Sequence, residues 1–174
     1  MFLLGFADRL LEALFPGPAV LSGASAITLG AYVELIVRRS RTTYTTLLAA
    51  LYYLALFRSI SVKLESAAER QEDVEVDSKP PCQRRMFLAA LMLSSKYTQD
   101  RNFSSRSWAT ISGLRSNELN ANEALFLATI DWRLYIPPMS FQRWATEVSH
   151  YAMTPELTLP NFFVFLAAEL DFLT

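Results

Sequence analysis

RRMFLAALMLSSKY, residues 84–97, decides the fold. From Met86 to Leu93 it holds no polar side chain, and only then come two serines, a lysine and a tyrosine. A surface helix alternates apolar and polar faces every three to four residues, whereas a helix that is apolar all round must be enclosed by others. The stretch therefore predicts a central helix of a helical bundle. Lys96 stands at its mouth, where a cation suits the negative end of the helix dipole.

The neighbouring segments fit such a bundle. YTTLLAALYYLALF, 44–57, is also apolar nearly all round, and Thr42 or Thr43 is placed to start it. A helix over about 29–39 precedes it, with Thr28 as cap, Tyr32, Val33, Leu35 and Ile36 on its apolar side, and Arg38, Arg39 and Arg41 at its end. Ser104 or Ser105 can cap a short helix containing Trp108 and Ile111, closed by Gly113. A further helix is predicted from Ser116–Asn120 to about Leu134, and two more over about 139–151 and 160–173. No strand pair or hairpin turn stands out, so the class is all-α.

Outside this set, MFLLGFADRLLEALF at 1–15 reads as an amphipathic helix with Phe2, Leu3, Phe6, Leu10 and Leu14 on one face. Asp8, Arg9 and Glu12 interrupt it, and a basic leader is missing, so it is read first as packing on the domain, then as a helix for a partner or a membrane surface, and not as a signal peptide. Pro16-Gly17-Pro18 end it. Residues 59–81 break the apolar pattern, and ESAAERQEDVEVDSK, 65–79, carries six acidic and two basic side chains before Pro80-Pro81. That segment reads as an acidic, solvated loop, with room for a helical turn near 61–70. The organisation expected is an N-terminal helical extension at 1–27, a core of helices at 28–137 with the 59–81 loop inside it, and C-terminal helices at 138–174.

The chain has 174 residues, 52% of them hydrophobic, and a formal net charge of −1. This is enough apolar material for one core, and the balance argues against a nucleic-acid surface. No run of about 18 apolar residues suggests a membrane span. One cysteine, Cys82, excludes a disulfide framework and a cysteine zinc site, and one histidine, His150, leaves no histidine metal cluster. Glycine-rich phosphate loops and nucleophile-elbow motifs are absent, so no cofactor, metal or catalytic constellation is expected. A helical domain of this kind binds a macromolecule.

Two charges border the most apolar helices. Lys96 ends the central one, and Glu123 lies early in the helix of LNANEALFLATIDWRL. If those helices are neighbours, both charges emerge at one end, among Tyr97, Leu127, Trp132 and Leu134. Leu127 and Leu134, seven apart, would share a face with Glu123. An apolar patch framed by a cation and an anion is a workable interface. The residues also allow a purely structural reading. Lys96 suits a helix end, Glu123 stands three after Asn120 in capping-box spacing, and Leu127 and Trp132 suit a core.

The order of segments is more specific than any of these. K-Y-x-x-D-R-N-F-S at 96–104, W-x-x-I-S-G-L at 108–114, L-N-A-N-E at 119–123 and I-D-W-R-L at 130–134 resemble a cyclin box, and most of all the fungal PCL-type cyclins. The resemblance covers about 28–137 and implies a five-helix fold with the 84–97 helix at its centre. It implies a regulatory subunit, not an enzyme, that binds and activates a cyclin-dependent protein kinase and helps direct it to substrates in the nucleus and cytoplasm. The lysine and glutamate that hold the kinase's mobile αC helix in cyclins match Lys96 and Glu123. The flanking apolar contacts match Tyr97, Leu127 and Trp132. Beside them, Asp100 and Arg101 form a charged knob with reach toward the kinase activation segment. A non-activating adaptor and a cyclin-fold transcription factor are the other readings.

Overall fold

The computed structural model describes residues 2–16, 27–68, 82–154 and 159–171. Among them are eight helices and no strand: α1 (Phe2–Leu14), α2 (Leu29–Arg39), α3 (Tyr44–Ala68), α4 (Gln83–Thr98), α5 (Ser105–Ser112), α6 (Ser116–Thr129), α7 (Pro138–Met153) and α8 (Leu159–Asp171). The all-α class and the central position of 84–97 hold.

Ten consecutive residues of α4, Met86 to Ser95, are buried. Helices α1, α2, α3 and α6 surround it. Ala89 and Ala90 present little bulk, and Ser94 returns its hydroxyl to the carbonyl of Leu91 at 3.0 Å, so the helix buries no unsatisfied hydroxyl there. On α3, every residue from Thr46 to Phe57 is buried. Aromatic pairs fill the space between helices: Phe57 stacks on Phe126 of α6 at 4.6 Å, and Tyr52 meets Trp144 of α7 edge-on at 5.5 Å. The indole of Trp144 donates to the carbonyl of Leu48 at 2.9 Å, which fixes α7 on α3.

The N-terminal helix packs on the domain as its periodicity predicts. Phe6, Ala7, Leu10, Leu11 and Leu14 are buried, although Phe2 is exposed. Phe6 and Tyr151 both meet the ring of Phe162 on α8 at 5.2 Å, and Arg9 donates to the carbonyl of Tyr151 at 2.7 Å. Three of the anticipated caps are present. Thr28 accepts from the Ala31 amide, Ser104 accepts from the Ser107 amide, and Gly113 closes α5 at φ 77°, a conformation that costs a glycine little.

Three expectations need correction. The break expected at residue 59 does not occur, because α3 continues to Ala68. Residues 58–68 contain no Gly or Pro, and Arg58 reaches Glu65 at 3.2 Å, so the charges there decorate a helix face. The remainder of the acidic loop, 69–81, and the Gly17-Pro18 stop lie outside the described residues. The extension also makes α3 long and apolar enough, by length and composition alone, to cross a membrane, contrary to the reading of the sequence; in this fold its apolar run is packed on α1, α4, α6, α7 and α8. Second, α6 ends at Thr129, not near Leu134, so Leu134 does not share a helical face with Leu127. Third, Asn120 is inside α6, not at its cap, which is Arg115; its side-chain oxygen accepts from Ser105 of α5 at 3.0 Å.

Candidate functional site

The last turn of α4 and the middle of α6 face each other, and there the two charges singled out by the sequence meet directly. Lys96 Nζ donates to Glu123 Oε1 at 2.6 Å and to Oε2 at 2.8 Å. The Glu123 side chain is only 11% exposed, that of Lys96 42%. A carboxylate taken this far out of water needs a counter-charge, and the partly solvated ammonium supplies it with little desolvation of its own. The pair is therefore a feature of the free chain. An ammonium has three donors, and a carboxylate about four acceptor directions, so both groups retain capacity for a docked partner.

The other residues fall around this pair in different ways. Tyr97 follows Lys96 and is half exposed. Its phenol lies near that of Tyr53, which burial pushes far above the ordinary phenol range, with Tyr97 adding to the rise. Tyr53 in turn donates to the carbonyl of Leu134 at 2.7 Å, tying the chain after α6 to α3. Leu127, one turn beyond Glu123, is half-buried against the core. Asp100 and Arg101 are exposed in the turn after α4.

Trp132 is neither core nor helical. It is 70% exposed and has φ 58°, following Asp131 at φ 52°. Two successive non-glycine residues in the left-handed region are unfavourable by roughly 1–2 kcal/mol each, somewhat less for Asp. The cost is offset by backbone closure, since the Trp132 amide donates to the Leu127 carbonyl at 3.0 Å and that of Asp131 to Ala128 at 3.1 Å. This left-handed end turns the indole out into water.

Sequence reasoning missed two parts of this region. One is a polar network under the α4 terminus. Thr46 of α3 meets Thr98 at 2.9 Å and accepts from Gln99 at 3.0 Å, Gln99 accepts from Ser95 at 3.1 Å, and Thr43 meets Thr46 at 2.8 Å. It fixes the turn carrying Lys96 to the start of α3. The run of hydroxyls in TTYTT was the visible signal. The other is the set of exposed apolar side chains that flank Trp132 along the chain from α6 into α7: Leu125, Tyr135 and Met139. Exposed aromatics and methionine are the residue types enriched at protein interfaces.

Comparison with known proteins gives a consistent result. A family profile described as Cyclin matches residues 15–134. The G1/S-specific cyclin pas1 of Schizosaccharomyces pombe is 36% identical over 150 residues, 80% of this chain and 33% of that protein. PHO85 cyclin-5 of Saccharomyces cerevisiae is 30% identical over 114 residues, 66% of this chain and 46% of its own length. Cyclin-U3-1 of Arabidopsis thaliana is 33% identical over 63 residues, 36% of this chain. The chain thus spans a third to just under half of the two fungal relatives.

Proposed function

This chain belongs to the cyclin family, and from that premise we propose that it is a regulatory subunit, without catalysis of its own, that binds and activates a cyclin-dependent protein kinase. The observation that carries the proposal is the Lys96–Glu123 pair, formed in the free chain, with the exposed ring of Tyr97 next in sequence to Lys96 and that of Trp132 just beyond the end of α6. Charges fix register and apolar anchors supply affinity. Lys96, Tyr97, Glu123, Leu127 and Trp132 are the proposed kinase contacts, with Asp100 and Arg101 directed at the activation segment.

Activation follows from differential binding. A subunit that docks better on the active arrangement of the kinase shifts its population, and moving it from about 1:99 to 99:1 needs about 5.5 kcal/mol of preference. The PCL-type pattern points to a cyclin-dependent protein kinase of the PCL-partner kind, and we propose that the complex acts on protein substrates in the nucleus and cytoplasm.

The test is phosphotransfer by such a kinase, alone and with this chain. Wild-type protein should activate it. Trp132→Ala and Glu123→Ala, with folding verified by circular dichroism, should lose most of that activation. Binding without activation would make the chain an adaptor instead. Intact activation by the Asp100→Lys variant would remove Asp100 from the contact set.

A further inference from the structure

Asp8 lies midway along α1, where that helix packs on the start of α2. Its carboxylate is pressed against Gly30, the second residue of α2: a Cβ added there would meet Asp8 Oδ2 at 2.7 Å and Cγ at 3.0 Å. Only a glycine leaves room for it. Oδ1 is enclosed and accepts no hydrogen bond, and among the described residues no cation pairs with the group. The charged and titratable side chains around α1 are engaged elsewhere. On α1 itself Arg9 donates to the Tyr151 carbonyl, and Glu12 is exposed. On α2 Glu34 pairs with Arg38, and the Tyr32 phenol, pushed up to about 12 by burial, stays neutral. On α4 Arg84 lies over the Tyr32 ring at 5.2 Å and donates to the Ile27 carbonyl. On α3 Arg58 and Lys63 stand by Ala13 and Leu14, more than a turn further along α1. On α7 Glu147 is half-buried and His150 meets the ring of Tyr151.

Two effects compete for this carboxylate. The positive end of α2 favours its ionised form, but a helix dipole acts mainly through donors aimed at the charge. The Ala31 amide is taken by Thr28, and no α2 amide donates to Asp8. Lost hydration with no replacing bond is the larger effect. Enclosure accordingly raises the Asp8 carboxyl above the ordinary carboxylate range.

We propose that the Asp8–Gly30 contact is a proton-operated latch on α1: with the carboxylic acid neutral the helix is seated on the domain, and ionisation loosens that seat while the rest of the bundle holds. A carboxyl whose acid form is favoured in the seated state contributes in full below the ordinary carboxylate range, and its contribution is lost as pH rises through the raised value. The latch is therefore tightest in acid and loosest at neutral pH. Opening it uncovers the side chains that α1 buries, Phe6, Leu10, Leu11 and Leu14 among them.

The test is amide hydrogen exchange on the full chain, with protection corrected for intrinsic rates, from about pH 4 to about pH 7.5. In wild type, protection of α1 should fall as pH rises. In Asp8→Asn it should stay flat, and at the neutral end exceed wild type about tenfold, while α4 keeps the same protection in both. His150→Gln removes an imidazole that titrates near neutrality and should leave the wild-type slope in place. Gly30→Ala reports on the contact itself. It should lower α1 protection in the wild-type chain, where its methyl meets the carboxylate, and raise it slightly in an Asp8→Ala background, where only the gain in helix propensity remains. Protection of α1 that rises with pH would mean that the α2 dipole dominates, and overturns the latch. So does a slope that survives in Asp8→Asn or vanishes in His150→Gln. An α4 response as large as that of α1 overturns it too, because Asp8 would then act on the whole fold. A Gly30→Ala effect of the same sign in both backgrounds overturns the contact.

Discussion

The two ends of α3 are built on different principles. At its start, Thr43 and Thr46 join Thr98, Gln99 and Ser95 in a hydrogen-bonded web, and the adjoining turn holds a two-pronged ion pair. At its far end, Val62 and Lys63 border an open apolar trough. Directional bonds fix atoms relative to one another, whereas apolar contact depends mainly on area and tolerates changes of shape. The first end suits a partner of defined geometry such as a folded kinase.

That contrast can be broken at several levels. The largest effect should come from the buried middle that joins the ends. Leu91→Ala, fully enclosed in α4, should cost about 2–5 kcal/mol in urea unfolding and loosen both ends of α3 together. Next, Trp132→Ala should leave unfolding within about 0.5 kcal/mol of wild type, as for an exposed side chain, yet cost about 2 kcal/mol or more in kinase affinity measured by calorimetry. The ion pair should respond asymmetrically. Lys96→Ala strands the enclosed Glu123 carboxylate and should cost about 1–3 kcal/mol of stability, whereas Glu123→Gln leaves a half-solvated ammonium and should cost less. Equal losses would mean that the carboxylate is better hydrated than its burial indicates. The smallest effect is expected from Thr46→Val, which removes the hub of the polar web and should cost about 1 kcal/mol. Its diagnostic result would be faster amide exchange in the turn at 98–101, with the far end of α3 unchanged.

These regions also differ in how openly the sequence declared them. The α4 centre was legible because eight residues without a polar side chain admit one environment. The caps at Thr28, Ser104 and Gly113 were legible because their chemistry is local. The continuation of α3 was hidden by its charges: Lys63 and Glu65 look like a solvated connector until Arg58 and Glu65 are seen seven residues apart on one helix. The end of α6 was hidden for the opposite reason. Asp131 and Trp132 carry none of the glycine that usually marks a left-handed turn, so the apolar pattern ran on through Leu134. The convergence of Lys96 and Glu123 on one end was readable from helix order. Their mutual pairing was not, because it depends on side-chain rotamers that spacing does not specify.

The left-handed turn at Trp132 has a spectroscopic consequence. Trp108 and Trp144 are enclosed in the protein, at 1% and 0% exposure, while the indole of Trp132 stands in water. Iodide should quench Trp132 selectively, and its red-shifted emission can be separated from that of the other two. Docking of a partner over this end would shield the ring and shift its emission to the blue. The chain thus carries its own optical sensor of occupancy, needing no label.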